Sequence, residues 1–458
     1  MQHHPRRGST PTPQRVRDIL KPISGAAVGN MLEWFDYSLY GYLSATLAKV
    51  FFPSSDPIVS LIAAFAAFSV AFVTRPLGAL FFGSLGDRLG RRDTLAIVVG
   101  LISVSTGLVG VLPGYEAIGI AAPLLLVALR MIQGFSAGGE AGGALAFLAE
   151  YAPTRRRGVV IGFFGMSAGI GALSGSGLVL AITSIFGQTA VEAWAWRLPF
   201  LIAGPIGLGA FWLRLRIEET PAFRLHLERE GAAQAPLREA LRDDWRSIVK
   251  CLGVAISHGI PYYLILAYLP SYLVSTGRLS SGQAIAASGL AFLGSVIVIP
   301  FAAALSDRVG RRPVAFTAAL AYLVVALPLF RIVVGSTPEV VIATMASVGV
   351  LMGMYGSAPF CMMTELFPTR TRYSAMSVGY NVAMVLFGGT APLISASLTK
   401  LTGNPSSPAY FMMGGAVLSI FAILASPETS RVPIDELGQS DEHIRRVRMA
   451  LKASARVE

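Results

Sequence analysis

The stretch Gly83-Ser-Leu-Gly-Asp-Arg-Leu-Gly-Arg-Arg92 recurs as Ala303-Ala-Leu-Ser-Asp-Arg-Val-Gly-Arg-Arg312. A second pair repeats in the same order: Glu150-Tyr-Ala-Pro-Thr-Arg-Arg-Arg157 returns as Glu365-Leu-Phe-Pro-Thr-Arg-Thr-Arg372. Two segments duplicated in register mark a chain built from two related halves. Outward from these loops lie runs of about 20 apolar residues, each long enough to cross a ~30 Å hydrocarbon layer at about 1.5 Å per residue. Twelve such runs lie near 24–50, 58–83, 94–112, 119–148, 158–182, 196–214, 249–275, 283–305, 313–335, 339–364, 374–399 and 408–426. The expected fold is all-α: a polytopic membrane protein with twelve transmembrane helices in two pseudo-symmetric six-helix bundles. The expected division is an N-tail at 1–23, bundles at 24–214 and 249–426, a central linker at 215–248 and a C-tail at 427–458.

Composition agrees with this reading, since 53% of the 458 residues are hydrophobic and 14% charged, against roughly 25% charged in soluble domains. The net charge of +11 raises the question of nucleic acid, and its distribution answers it. Lys and Arg concentrate in the tails and in alternate loops; Lys49, Arg197, Arg278, Arg331 and Lys400 fall near the other face, and Arg75 and Arg130 within the membrane. The asymmetry predicts cytoplasmic termini, with lipid and no nucleic acid as the surroundings. Cys251 and Cys361 both lie in apolar runs, as small core residues with no metal-ligand or disulfide spacing. The first 22 residues read as a cytoplasmic tail with no cleaved signal peptide. The charged linker is expected to be partly helical. The C-tail, whose Ile444, Val447 and Leu451 fall short of a coiled coil, is expected to be mobile or surface-bound.

This pattern resembles the major facilitator superfamily over residues 20–426. Gly29-Asn-Met-Leu-Glu-Trp-Phe-Asp-Tyr37 and Gln133-Gly-Phe-Ser-Ala-Gly-Gly-Glu140 resemble its metabolite:proton symporter branch. Within that branch, Pro261-Tyr-Tyr-Leu and Tyr268-Leu-Pro-Ser-Tyr-Leu273 look most like osmoprotective proline/betaine transporters. The resemblance implies gradient-driven symport of a small molecule with a proton, by rocking of the two bundles. It also implies gating for the duplicated loops: Asp87 and Arg88 with Glu150 and Arg157, matched by Asp307 and Arg308 with Glu365 and Arg372, and flanked by Arg91, Arg92, Arg311 and Arg312. The second copy has Ala303 and Ser306 where the first has Gly83 and Gly86, so looser packing is expected there.

Independently of any resemblance, an ionisable residue inside a membrane is costly and marks a functional candidate. Asn30, Glu33, Tyr37 and Tyr40 share one face of the first helix, with Asp36 beside them. Glu33 and Asp36 either accept the transported proton, because desolvation favours the neutral carboxyl, or form packing ion pairs. On the fourth helix Arg130, Gln133 and Glu140 share a stripe, while Gly134, Gly138 and Gly142 form a packing ridge. Arg130 is expected to pair with Asp36 or Glu33, and protonation would free its fork for a substrate carboxylate. Glu140 reads as a second proton site or a conformational lock. Arg75 reads as structural or gate-associated, nearer the cytoplasmic end.

His258, Tyr262 and Tyr263 surround Pro261 in the seventh helix, where a break could line the cavity. His258 is read either as a core residue or as a contact to substrate or proton. Asn381, with Tyr380, Met354 and Tyr355, extends the candidates. Tyr37, Tyr40, Tyr262 and Tyr263 either cage a quaternary ammonium or are ordinary membrane tyrosines. No phosphate loop, nucleophile elbow or metal cluster is visible, so no enzyme activity, cofactor or metal is expected. The alternatives are a symporter for an anionic organic acid such as citrate, 2-oxoglutarate or shikimate, anchored by Arg130, and a non-transporting sensor. A functional monomer is expected.

Overall fold

The computed structural model describes residues 16–89, 91–215, 236–369 and 371–454, and every element among them is helical. The first half contains α1 (Val16–Phe51), α2 (Pro57–Leu89), α3 (Arg91–Val111), α4 (Ala121–Tyr151), α5 (Arg157–Phe186) and α6 (Arg197–Leu215). The second contains α7 (Trp245–Ser275), α8 (Ser281–Val309), α9 (Arg311–Gly335), α10 (Pro338–Glu365), α11 (Arg372–Thr402) and α12 (Ser407–Ala425). Ten of these are long and apolar enough to cross a membrane unaided. The charged α1 and the shorter α6 complete the twelve. Helices pack mainly within their own half, and α5 against α8 with α2 against α11 forms the seam.

The surface inverts that of a water-soluble protein. Leu77, Phe81, Val104, Phe301, Val324 and Phe421 point outward, while Arg75, Arg130, Arg157, Arg311 and Arg372 are buried. Hydrocarbon rewards the first set, and the second must find partners inside. Glycine lets α2 and α4 meet backbone to backbone: a Cβ on Gly134 would sit 1.6 Å from the Ala71 carbonyl oxygen.

Helix irregularities fall where the halves meet. The α4 helix breaks at Gly138 and Gly139, and α10 breaks at Gly356 and Ser357. The carbonyls exposed by the first break accept bonds from α11, Gly138 from Asn381 Nδ2 at 3.2 Å and Gly139 from Tyr373 Oη at 2.9 Å. In α7 the backbone widens to a π turn at Leu264–Tyr268 after Pro261, and Ser288 Oγ donates to the Ile265 carbonyl at 2.9 Å. A proline inside a helix frees such groups, and neighbours re-satisfy them. By contrast α8 starts on a capping box, with Ser280 Oγ accepting from Gln283 N and Gln283 Oε1 accepting from Ser280 N.

Two boundaries differ from expectation. The first helix starts at Val16, inside the expected N-tail. In the expected linker a short helix, Pro236–Asp243, precedes α7, which already begins at Trp245; residues 216–235 lie outside the described residues. Of the two alternatives for the C-tail the structure shows the surface-bound one: Val432, Leu437 and Ile444 form a small core beneath a terminal helix, α13 (Asp441–Ser454). Apolar spacing too short for a coiled coil is enough to cover a surface already built by the bundle ends.

Candidate functional site

Two buried ion pairs hang from one face of α1. Asp36 Oδ2 meets Arg130 Nη1 at 2.9 Å, and Asp36 Oδ1 accepts from Thr106 Oγ1 at 2.6 Å and Gln133 Nε2 at 2.9 Å. One turn earlier, Glu33 Oε1 meets Arg75 Nη1 at 2.9 Å. Arg75 also donates to Tyr37 Oη and, across the seam, through Nε to Asn381 Oδ1, both at 2.9 Å. The α1 stripe ends on the same side, with Asn30 Nδ2 donating to Ser167 Oγ and the Phe164 carbonyl at 2.8 Å.

The pairs are incompletely satisfied. Among the described residues Arg130 Nε and Nη2, Glu33 Oε2, His258 Nε2 and Tyr263 Oη have no hydrogen-bond partner although buried. Arg130 thus spends one nitrogen on Asp36 and Gln133 and keeps the other edge of its fork free. Unpartnered buried polar atoms are expensive, and their clustering marks a place where a ligand supplies the missing bonds.

Beside the ion pairs the halves meet through rings. Trp34 stacks on Tyr263 with centroids 5.4 Å apart and meets Tyr262 edge-on at 4.9 Å. Tyr37 and Phe72 complete the wall around Tyr263 at 6.2 and 5.1 Å. His258 packs between Tyr262 and Phe360, at 4.6 and 4.7 Å. Tyr40 does not join this wall. Its ring lies under the Arg130 guanidinium at 4.2 Å and its hydroxyl donates to the Ala64 carbonyl, so its face is already occupied.

At the end carrying the repeated loops, here the basic end, a second buried network closes the seam. Arg157 Nη1 of the first half meets Glu365 Oε1 of the second at 2.8 Å. Asp307 accepts from the Gly158 and Val159 amides at 2.9 and 3.1 Å and pairs with Arg311 at 2.6 Å. The docked tail joins in: Thr429 Oγ1 donates to Glu365 Oε2, the Val432 carbonyl accepts from Arg157, and Glu428 accepts from the Arg311 and Arg312 amides. At the opposite end the halves are tied by an exposed pair, Lys400 with Asp56 at 3.0 Å. A cavity of about 480 Å³ opens there, lined by Tyr42, Thr46, Lys49, Ser271 and Ser281 among others.

Residues 23–253 and 244–440 match the family described as Sugar (and other) transporter. The chain belongs to that family. This transporter is 39% identical over 425 residues to a glycine betaine/proline/ectoine/pipecolic acid transporter of Dickeya dadantii, covering 91% of this chain and 85% of the relative. It is 38% identical over 425 residues to a proline/betaine transporter of Escherichia coli, with the same coverage. Its fold is that of the major facilitator superfamily: a solved proton:xylose symporter superposes with a TM-score of 0.77 at 17% identity, over 91% of this chain and 98% of the other.

Several sequence expectations for the transporter change. Arg75, expected nearer the cytoplasmic end, sits mid-way along a 33-residue α2, on Glu33 and Asn381. Glu140, read as a second proton site or a conformational lock, is paired with Arg214 at 2.5 Å, near the end of α6. In the second copy Glu365 pairs with Arg311 of its own half and with Arg157 across the seam, whereas Arg308 is exposed and, among the described residues, makes no pair with Glu365. Arg372 donates to the carbonyls of Thr364 and Ile434, and Arg312 to that of Leu424. Glu150 is half-buried. The side chains of Asp87, Arg88, Arg91 and Arg92 lie outside the described residues. The second copy is tightly packed despite Ala303 and Ser306: Ser306 Oγ accepts from Arg311, and Ala303 is fully buried. Tyr355 spends its hydroxyl on the Val254 carbonyl as a packing residue. Trp34, Phe72 and Phe360 went unnoticed in the sequence because an aromatic residue in an apolar run carries no periodic signal of its own.

Proposed function

We propose that this transporter is a proton-coupled symporter that imports a small zwitterionic osmolyte of the proline/betaine kind. It works as a monomer in the bacterial inner membrane, with the basic end and both termini in the cytoplasm. The observation that carries this reading is the Asp36–Arg130 pair with the second edge of the Arg130 fork free, one ring away from the aromatic wall through Phe68, which lies 5.5 Å from the guanidinium and 5.9 Å from Tyr263. A substrate carboxylate fits the Nε/Nη2 edge bidentately, and a quaternary or secondary ammonium fits the faces of Trp34 and Tyr263. The two ion pairs cancel in charge, so a zwitterion enters without leaving an unpaired buried charge.

Coupling then follows from charge balance. With substrate bound, two carboxylates compete for one guanidinium, and a proton on Asp36 removes that competition, so the loaded site carries the single positive charge of the proton it takes up. The protonated Asp36 releases Arg130 to the substrate. Glu33 and Arg75 carry the change across the seam, because Arg75 is bonded at once to Tyr37 on α1 and Asn381 on α11. His258, whose Nε2 is unpartnered beside Tyr262, lies where the substrate's far end would rest. The monomer is supported by a site drawn wholly from one chain.

The test is Asp36→Asn in proteoliposomes. The variant is expected to lose uphill accumulation driven by a pH gradient while keeping betaine counterflow, since an amide preserves the bonds to Thr106 and Gln133 but cannot titrate. Normal accumulation by the variant moves the proton site elsewhere.

A further inference from the structure

A cavity of about 870 Å³ opens at the basic end over the α5–α8 seam, and its walls include Arg155, Arg156, Arg308 and Arg431 with Asp307 and Leu451. All four arginines are exposed, and among the described residues none is within ion-pair distance of a carboxylate. Asp307, the acidic group in the wall, is already taken by Arg311 and the Gly158 and Val159 amides. The gate itself uses Arg157, Arg311 and Arg372, so closing the seam leaves these four without a task. The positive-inside rule accounts for arginines on this face but not for four of them converging on one opening, where like charges repel and a visiting anion relieves the repulsion.

Backbone geometry adds an independent observation. Arg431 has φ 67°, the left-handed conformation that no other non-glycine residue adopts among those described. Outliers of this kind persist where the surroundings enforce them. Here the Val432 amide donates to the Thr429 carbonyl and the Val432 carbonyl accepts from Arg157. The resulting turn lays Arg431 beside the Arg308 carbonyl, 3.4 Å from its Nη2, at the rim of the cavity. Next to Arg308, Leu305 and Val309 are exposed apolar residues on α8, so the cavity has an apolar flank beside its basic wall.

We propose that this cavity binds a phosphate-bearing anion, either the headgroup of an acidic phospholipid or free phosphate, as a site separate from the transport pathway. Arg155 and Arg156 come from the first half, Arg308 and Arg431 from the second half and its tail. An anion shared among them bridges the seam and holds the basic end closed, which slows the opening step of the cycle. Guanidinium groups suit phosphate because they bind it with paired hydrogen bonds.

The test uses the full-length protein purified in detergent, with wild type, Arg156→Gln/Arg431→Gln and Arg156→Lys/Arg431→Lys compared. One arm titrates sodium phosphate against sodium chloride at equal ionic strength and reads the unfolding temperature. The other titrates dioleoyl phosphatidylglycerol against dioleoyl phosphatidylcholine and reads bound lipid by native mass spectrometry. Wild type is expected to bind the anionic probe at least about tenfold more tightly than the glutamine variant, with the lysine variant in between. A difference in both arms assigns free phosphate as a sufficient ligand, and a difference in the lipid arm alone assigns the headgroup. Equal affinity of wild type and glutamine variant in both arms overturns the site. The lysine variant separates loss of charge from loss of fold.

Discussion

Arg130 is where charge, shape and coupling meet, because one edge of its guanidinium holds Asp36 and the other is free. Arg130→Lys keeps a positive charge for Asp36 but removes the fork. Losing a charge-assisted bond worth about 1.5–3 kcal/mol is expected to raise the KM for glycine betaine by roughly tenfold or more; uptake kinetics with an unchanged KM would dissociate Arg130 from the substrate. Tyr263→Leu removes a ring face from the wall with Trp34, and cation–π terms of about 0.5–2 kcal/mol translate into roughly 2–30-fold weaker betaine binding. The Asp36–Arg130 pair was legible in the sequence since a buried charge needs a partner and only a few were on offer. The Arg75 role was not. Counting turns along α2 measured its distance to the loop and could not reveal that Glu33 and Asn381 lie beside it.

Among elements, α4 shows how backbone geometry positions the site. Its N-terminal part carries Arg130 and Gln133, and it is pressed onto α2 by Gly134. A methyl group at position 134 would collide with the Ala71 carbonyl, an atom that cannot rotate away. Gly134→Ala is therefore expected to cost at least the upper part of the ~1–3 kcal/mol typical of overpacking, seen as a lower unfolding temperature in detergent. Gly209→Ala on α6, where a Cβ meets nothing within 4 Å, serves as the control and should leave stability unchanged. The glycine ridge was legible from its spacing. The break at Gly138 and Gly139 was not, because it depends on Asn381 and Tyr373 arriving from the other half to donate to the freed carbonyls.

Across the whole molecule, the two ends are closed by interactions of unequal strength. The basic end uses Arg157, Glu365, Asp307 and Arg311, all buried and multiply bonded. The opposite end relies on an exposed Lys400–Asp56 pair, which salt screens and which contributes little. Opening toward the opposite end is therefore the easier motion. The Lys400 bond holds the Asp56 carboxyl below its ordinary range, so the pair is intact through neutral pH and is lost only in strong acid; it cannot give transport a pH response near neutrality. Arg157→Ala breaks a buried cross-seam pair, a change that costs about 3–5 kcal/mol in comparable cases, and is expected to favour opening at the basic end. A cysteine at Ala303, buried in the α5–α8 seam, should then react with a thiol reagent at least about tenfold faster, while Lys400→Ala leaves its rate unchanged. The comparison is made with Cys251→Ala and Cys361→Ala already in place, because Cys361 is buried beside Arg311 and Glu365 at the same end. The duplicated motifs announced two halves and a charged gate. They could not announce that the partners exchange across the seam, since that register is set by how the halves dock.

The central claim is that substrate and proton meet on one guanidinium. Solid-supported-membrane currents from the reconstituted transporter test it most directly, comparing proline and glycine betaine with citrate, 2-oxoglutarate and shikimate at two pH values. Inward positive current with the zwitterions, larger at the lower external pH and absent in Asp36→Asn, is the predicted result. Current with the acids alone, or zwitterion currents undiminished in Asp36→Asn, would contradict it.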